Sequence, residues 1–210
     1  MSGNGCTVAP RGARRALREC QKSTGERNFL ENSEALELIA GAVPRGAGTW
    51  ADLGAGGGTF TLALAERLGA GSRIYAVDRD ARALARLKRA AAGVAAEVIT
   101  VTADFTGAFD LPGLHGALDG MLIANALHYA RDAARTLARL GERLRAGGRL
   151  VLIEYDRRGA NPWVPYPIAA TRLPELAAQA GFSTPVVTAR TPSAFGGDLY
   201  VAAADRLAPA

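Results

Sequence analysis

The stretch WADLGAGGGTFTLALAERL (residues 50–68) joins a short apolar strand, an acid, a run of glycines and an amphipathic helix. Asp52 stands near the end of the strand, and glycines follow at positions 54, 56, 57 and 58. Glycines at such a place allow a tight turn and let the backbone approach a ligand closely. Free N–H groups at the start of the helix favour a carboxylate or a phosphate. The stretch therefore predicts a strand–turn–helix unit that binds a cofactor.

The same alternation of apolar strands and helices continues along the chain. The predicted strands are 49–53, 73–78, 97–102, 120–125 and 149–155, and the predicted helices are 58–69, 80–92, 131–146 and 171–180. Apolar runs with little alternation, separated by helices, are typical of parallel strands buried on both faces. We therefore expect a doubly wound α/β sheet.

Two further strands are predicted near 184–190 and 198–204, and only PSAFGG (192–197) joins them. So short a link permits only antiparallel neighbours, since a parallel crossover takes a dozen or more residues. The predicted fold is therefore a seven-stranded sheet that is mostly parallel and ends in a C-terminal antiparallel hairpin.

One domain is expected. A chain of 210 residues with 49% hydrophobic content is long enough for one well-buried core and short for two. Residues 1–28 are rich in Gly, Arg and polar side chains without a sustained period, which predicts a flexible basic N-terminal arm. The ordered domain is expected over residues 29–210, and Asn32 or Ser33 is expected to cap its first helix.

The composition argues against a membrane-spanning or secreted protein. The apolar runs are short, and none approaches the roughly 20 residues that a spanning helix needs. The first 25 residues carry basic side chains but no apolar block like that of a signal peptide. We therefore expect a cytoplasmic protein without a membrane span.

Cysteine content and charge limit the possible partners. Cys6 and Cys20 are the two cysteines, and no Cys or His pair stands with them at metal-ligand spacing, so we expect free thiols and no metal site. A net charge of +5 fits nucleic acid, an anionic substrate or simply an arginine-rich composition. The basic side chains are scattered along alanine-rich helices, as in 135–149, which is typical of solvated faces.

The spacing of the acid and the glycines separates two kinds of cofactor site. A dinucleotide fingerprint, G-x-G-x-x-G, would need a third glycine at Thr59, and the pattern here is an acid followed by three glycines at every second position. In this pattern the chain resembles the class I S-adenosylmethionine-dependent methyltransferases, over roughly residues 33–204. The resemblance implies S-adenosylmethionine as cofactor. The residues that it implies in this turn are Asp52, Gly54, Ala55, Gly56 and Gly58.

A second carboxylate follows in YAVDRD (75–80), where Asp78 closes the next strand 24 residues after Gly54. A carboxylate at the C-terminal edge of a strand can accept hydrogen bonds from a ribose diol. The resemblance implies that Asp78, with Arg79 beside it, binds the ribose. Asp80 is expected to cap the following helix.

A third acid, Asp104, follows the third strand and precedes an aromatic residue, Phe105. The resemblance implies that Asp104 accepts a hydrogen bond from the adenine amino group and that Phe105 holds the ring. A plain turn residue is the alternative for Asp104, since Asp is common in turns.

The fourth strand leads into NALHY (125–129), and the resemblance implies that the backbone around Asn125 and Ala126 holds the methionine ammonium group. This stretch and the following helix and strand are similar to the small-molecule methyltransferases related to quinone-biosynthesis C-methyltransferases. His128 is a candidate general base because imidazole titrates near neutral pH, or else a packed structural residue. Glu154, at the end of the fifth strand, is a candidate proton acceptor or a solvated strand end.

The acceptor is not named by any motif, but two classes are disfavoured. Methyltransferases that act on amino nitrogens of nucleobases resemble one another in an N/D-P-P-Y/F motif, and residues 124–127 (ANAL) lack its prolines. The predicted domain also contains no cysteine that could form a covalent adduct with a pyrimidine. We therefore predict methyl transfer to O, N or C of a small molecule. An RNA or protein methyltransferase that uses the basic arm is the alternative, and a non-catalytic cofactor-binding protein is a further one.

The segment DRRGANPWVPYPI (156–168) is rich in proline and aromatic residues. It would suit a substrate wall beside the cleft, or equally a structural cover over the sheet edge. Arg157 and Arg158 would suit an anionic group on the substrate.

Overall fold

The computed structural model of the protein describes residues 32–157, 159–193 and 197–208. The strands are β1 (Thr49–Leu53), β2 (Arg73–Asp78), β3 (Glu97–Thr102), β4 (Leu118–Ala124), β5 (Leu144–Asp156), β6 (Val186–Pro192) and β7 (Asp198–Asp205). The α-helices are α1 (Asn32–Ile39), α2 (Thr59–Leu68), α3 (Ala81–Ala90), α4 (Ala133–Gly141) and α5 (Leu173–Gln179). The predicted arm, 1–28, lies outside the described residues, so its boundary with the domain at 29–210 stays a prediction.

The seven strands form one sheet in the order β3-β2-β1-β4-β5-β7-β6. The first five strands are parallel to one another. The strand β7 is antiparallel to both β5 and β6 and lies between them. The predicted fold, a doubly wound, mostly parallel sheet that ends in an antiparallel hairpin, is confirmed.

The boundary between α4 and β5 differs from the prediction. The helix was expected to reach residue 146, but it ends at Gly141, and β5 begins at Leu144 rather than at 149. Amphipathic spacing continues through the segment, so the period alone does not mark the end of the helix. Gly147, at φ +68°, and a register shift against β4 then let residues 144–148 run along the sheet as an irregular start of β5.

The sheet is covered on both faces by apolar side chains, and Trp50 of β1 fills the middle of one face. Trp50 is 2% exposed, and its partner in the register of β4 is Gly120. A Cβ at Gly120 would lie 2.5 Å from the indole ring. The absence of a side chain at Gly120 is therefore what allows the indole to lie flat across the neighbouring strand.

Among the described residues, no helix is both long and apolar enough to cross a membrane.

The contact of Trp50 with Gly120 predicts a packing defect. We expect Gly120→Ala to lower the free energy of unfolding by about 1–3 kcal/mol, because the new methyl group overlaps the buried indole. Urea unfolding measures this change. Gly93→Ala is the control, since a Cβ there would meet no atom within 4 Å. Equal stability of the two variants would contradict the packing described here.

Candidate functional site

A cleft of about 320 Å³ opens at the C-terminal ends of β1, β2, β3 and β4. Its lining residues are Gly54, Asp78, Arg79, Ala103, Asp104, Phe105, Thr106, Asn125, Ala126 and Tyr129. Most of the cofactor residues predicted from the sequence are therefore brought to one place. The predicted cofactor residues did not include Ala103, Thr106 and Tyr129. Of these, Tyr129 had been only a lesser catalytic candidate after His128, and Thr106 had a local signal as the residue two positions after a turn aspartate.

The glycine turn meets the end of β4 at Gly54. This residue has φ +84°, and a Cβ there would lie 2.5 Å from the Cβ of Ala126. The N–H groups of Gly54 and Ala55 both donate to the carbonyl oxygen of Val77, at 2.8 and 3.0 Å. The turn is thus bonded to β2 on one side and packed against β4 on the other, and a side chain at Gly54 has no space.

The other two glycines of the pattern have different roles. Gly56, at φ +52°, donates its N–H to Oδ2 of Asp78 at 2.7 Å. Gly58, at φ +94°, is the N-cap of α2, and a Cβ there would overlap the side chain of Leu87 in α3. Gly57, in contrast, has open space around it and no left-handed φ.

Asp78 is tied to two backbone groups yet still faces the cleft. Its Oδ2 accepts from Gly56, and its Oδ1 accepts from the N–H of Asp80 at 2.8 Å. A carboxylate oxygen has two lone pairs, so each oxygen retains one for a ligand. Asp80 caps α3 as predicted, by accepting from the N–H groups of Arg82 and Ala83.

Asp104 forms the turn that was one of its two predicted roles, and the other role, an acceptor for adenine, stays a prediction. Its Oδ1 accepts from the N–H and the hydroxyl of Thr106, at 2.9 and 2.6 Å, which closes a turn. These hydrogen bonds from Thr106 hold the pKa of Asp104 below its usual value. Among the described residues none donates to Oδ2 of Asp104, which leaves this oxygen for a ligand. Phe105 is 7% exposed and forms an apolar part of the cleft wall.

The end of β4 is held in an unusual conformation. Asn125 has φ +50°, a left-handed value that is uncommon for a residue other than glycine, and its N–H donates to the carbonyl of Ile153 at 2.8 Å. Its buried Oδ1 accepts no hydrogen bond from any described residue. An unpaired buried acceptor costs about 1–3 kcal/mol, so a donor bound in the cleft would remove this penalty.

Asp52 lies beneath the turn and is not part of the cleft wall. It is 1% exposed, and its Oδ2 accepts from the hydroxyl of Thr61 at 2.6 Å. Within the described ranges its Oδ1 has no partner. Burial raises the pKa of this carboxyl from 3.8 to about 7, the hydrogen bond from Thr61 opposes the rise, and the nearby charge of Asp78 adds to it.

His128 and Glu154, the two catalytic candidates, form a buried pair behind the cleft. Glu154 is fully buried, and His128 is 2% exposed. One oxygen of Glu154 accepts from the backbone N–H of His128 at 3.1 Å, and the other lies 2.7 Å from its Nδ1. Neither residue lines the cleft. The next residue, Tyr129, does, and its ring centroid lies 4.4 Å from that of the imidazole.

The alternative for Glu154, a solvated strand end, is wrong. The β5 strand continues to Asp156 and is paired with β7 on one side, so the side chain of Glu154 is enclosed. Tyr200, its partner on β7, is also buried and donates its hydroxyl to the carbonyl of Ile168 at 2.8 Å.

A family model described as a methyltransferase domain matches residues 51–150 of the chain. No match to the chain was found among curated protein sequences.

Solved structures resemble the chain over nearly its whole length. The structure of 1,6-didemethyltoxoflavin-N1-methyltransferase from Burkholderia thailandensis, with bound 1,6-didemethyltoxoflavin and S-adenosylhomocysteine, has a TM-score of 0.68 and 24% identity and covers 98% of this chain and 94% of its own. Magnesium protoporphyrin IX methyltransferase from Synechocystis PCC 6803, with bound S-adenosylmethionine, has a TM-score of 0.61 and 20% identity and covers 95% and 100%. An arsenic(III) S-adenosylmethionine methyltransferase from Chlamydomonas reinhardtii has a TM-score of 0.65 and 16% identity and covers 96% and 75%. At these identities the likeness is one of fold.

The raised pKa of Asp52 predicts a pH-dependent stability. The folded protein binds the proton of this carboxyl more tightly than the unfolded chain does, so the free energy of unfolding falls as pH rises from about 4 to about 7. The loss from this one group is about 4 kcal/mol at most. Asp52→Asn does not titrate, and we expect its stability to fall less over this range. Urea unfolding of both proteins at several pH values measures the difference, and parallel curves would show that Asp52 does not titrate in this way.

Proposed function

We propose that this chain is a class I S-adenosylmethionine-dependent methyltransferase that transfers a methyl group to O, N or C of a small molecule. The match of a methyltransferase-domain model to residues 51–150 and the fold of the sheet support this proposal. The observation that carries the proposal is the cleft at the strand ends, where a glycine turn, two carboxylates and an unpaired amide oxygen converge. Two of the similar solved structures are a 1,6-didemethyltoxoflavin-N1-methyltransferase and a magnesium protoporphyrin IX methyltransferase, and their names support a small acceptor.

The residues of the cleft fit the chemistry of this cofactor. We assign the ribose diol to the free lone pairs of Asp78 and the adenine to Asp104 and Phe105. The unpaired Oδ1 of Asn125 suits a cationic donor such as the methionine ammonium group. Open N–H groups at the start of α2 suit the methionine carboxylate.

When bound, S-adenosylmethionine would supply a methyl group carried on a sulfonium. The bond between this methyl and sulfur would break as the acceptor attacks the methyl carbon, and the products would be S-adenosylhomocysteine, the methylated acceptor and a released proton. The protein then contributes mainly alignment and exclusion of water. Correct alignment of two reactants is worth about 7–11 kcal/mol of the barrier. The rigid turn at Gly54 and the strained end of β4 at Asn125 are suited to that task, since neither can shift without losing a backbone hydrogen bond.

We assign the buried pair of His128 and Glu154 a positioning role. Glu154 accepts from both the backbone and the ring side of His128, and this fixes the short turn Leu127–Tyr129 against β5. Tyr129 then faces the cleft from a fixed backbone. The alternative, in which His128 takes the proton of the acceptor, stays a prediction. Variants of Glu154 and His128 distinguish it from the positioning role.

Cofactor binding is tested first at Asp78. We expect Asp78→Ala to weaken the binding of S-adenosylhomocysteine by about 10- to 100-fold, which corresponds to one or two hydrogen bonds to a charged group. Titration calorimetry measures the affinity, and urea unfolding checks that the turn has survived. Asp110→Ala, at an exposed acid away from the cleft wall, is the control. Unchanged affinity in Asp78→Ala would refute the ribose assignment.

The role of the buried pair is tested at Glu154. We expect Glu154→Gln to lose about 2–3 kcal/mol of stability, because a hydrogen bond to a charged group is lost in the core. With an acceptor found by S-adenosylhomocysteine release, a positioning role predicts a raised KM for the acceptor and an unchanged pH profile. A general base at His128 predicts instead that His128→Asn lowers kcat and changes the pH profile.

A further inference from the structure

We propose that the acceptor is a planar aromatic or heteroaromatic molecule that stacks against the side chains of Tyr129, Trp163 and Tyr166, the aromatic wall. This inference rests on the proposed function, because it names the substrate class of the same cleft. Tyr129 belongs both to the aromatic wall and to the lining of the cleft.

The aromatic wall is exposed where aromatic rings are normally buried. Trp163 is 77% exposed, Tyr129 48% and Tyr166 44%. Large rings are highly buried on average in folded proteins, and exposed ones in one region mark a binding site more often than scattered ones do. The other large apolar side chains that are exposed among the described residues are aliphatic and lie on β6 or near the C-terminus.

A backbone hydrogen bond brings the segment that carries Trp163 and Tyr166 beside the turn that carries Tyr129. The N–H of Tyr166 donates to the carbonyl of His128 at 3.1 Å. This hydrogen bond joins two segments that are far apart in the sequence. It also places the proline-rich segment next to the turn whose residue Tyr129 lines the cleft, which is where a substrate wall could extend the cleft.

Trp163 is held rigidly although its ring is exposed. Oδ1 of Asn161 accepts from the N–H groups of Trp163 and Val164, at 2.9 and 2.7 Å, and the backbones of Asn161 and Val164 bond to each other in both directions. Val164 and Ile168 are buried and anchor the segment on either side of Tyr166. These contacts hold the backbone of Trp163, so little backbone entropy is lost when a ligand stacks on its ring, which favours binding.

Tyr129 is fixed in a similar way. Its ring lies against the imidazole of His128 with centroids 4.4 Å apart and an angle of 47° between the planes. The buried carboxylate of Glu154 holds that imidazole from behind. The wall therefore presents aromatic rings on backbone segments that are held in place. Planar π-systems bind such rings by stacking.

The charges at the cleft favour a small aromatic acceptor over a nucleic acid. Arg79 is the one cationic residue in the cleft wall that the described residues form, and it lies next to Asp78 rather than beside Tyr129. A polyanionic strand would need several cations along its path. A flat molecule with a hydroxyl or a ring nitrogen needs only the stacking surface and access to the methyl group.

The two tryptophans of the chain make the wall directly measurable. Trp50 is 2% exposed and Trp163 is 77% exposed, so a ligand that stacks on the wall changes the fluorescence of Trp163 and leaves that of Trp50. We expect catechol, 6-hydroxyquinoline or 2,4-dihydroxypteridine to quench the tryptophan fluorescence of the protein in complex with S-adenosylhomocysteine, and the quenching to saturate. The saturated analogues, cyclohexane-1,2-diol and decahydroquinolin-6-ol, are expected to cause none.

Variants at Trp163 separate stacking from non-specific contact. For the probe that binds best, calorimetry is expected to give at least a tenfold loss of affinity in Trp163→Ala and less than a threefold loss in Trp163→Phe, which keeps a ring. Leu207→Ala, at an exposed aliphatic residue, is the matched control and is expected to bind as the parent does. Methylated product from the same probe, seen by mass spectrometry, would place the probe at the methyl group.

The outcomes distinguish this inference from the proposed function. If S-adenosylhomocysteine binds but no planar probe saturates, or if Trp163→Ala binds the probe as tightly as the parent does, the aromatic acceptor is refuted and the methyltransferase proposal stands. If S-adenosylhomocysteine itself fails to bind, the proposed function fails first.

Discussion

The close approach of Gly54 to Ala126 is the constraint on which the cleft depends. Parallel neighbours β1 and β4 end side by side, and the turn after one must pass over the end of the other. Only the absence of a Cβ at Gly54 and the small methyl group of Ala126 let them touch. The hydrogen bonds of the turn to Val77 of β2 then fix its height above the sheet. The other residues that we propose to hold the cofactor lie in the cleft around this contact.

Backbone strain and unpaired buried oxygens destabilise the protein at a few residues in and below the cleft. Asn125 holds a left-handed φ, and both Asn125 and Asp52 bury an oxygen that no described residue satisfies. Such strain and unpaired acceptors persist only where the surrounding structure enforces them, and they cluster at functional sites. Here the enforcement comes from β5, through the hydrogen bond to Ile153 and the buried pair of Glu154 with His128. A bound cation would relieve what the protein alone leaves unsatisfied.

The sequence could predict what depends on local pattern. Apolar periods and turn chemistry predict the bounds of β1, β2 and β3, the helix caps and the carboxylates at strand ends. The predicted bounds of these three strands agree with the structure to the residue. The end of α4 could not be predicted, since its amphipathic spacing runs on past Gly141. The pairing of His128 with Glu154 joins residues 26 positions apart, and the burial of Glu154 depends on β7, which is later still. These contacts exist only after the strands have assembled.

The place of β7 in the sheet has a consequence for biosynthesis. It follows the other six strands in sequence, yet it lies inside the sheet, and β6 pairs with the rest of the sheet only through it. Until β7 has been synthesised, β5 has an open edge and β6 has no strand to pair with. An open edge of this kind recruits other chains. Nascent or truncated chains that lack β7 are therefore the form of this protein most exposed to aggregation.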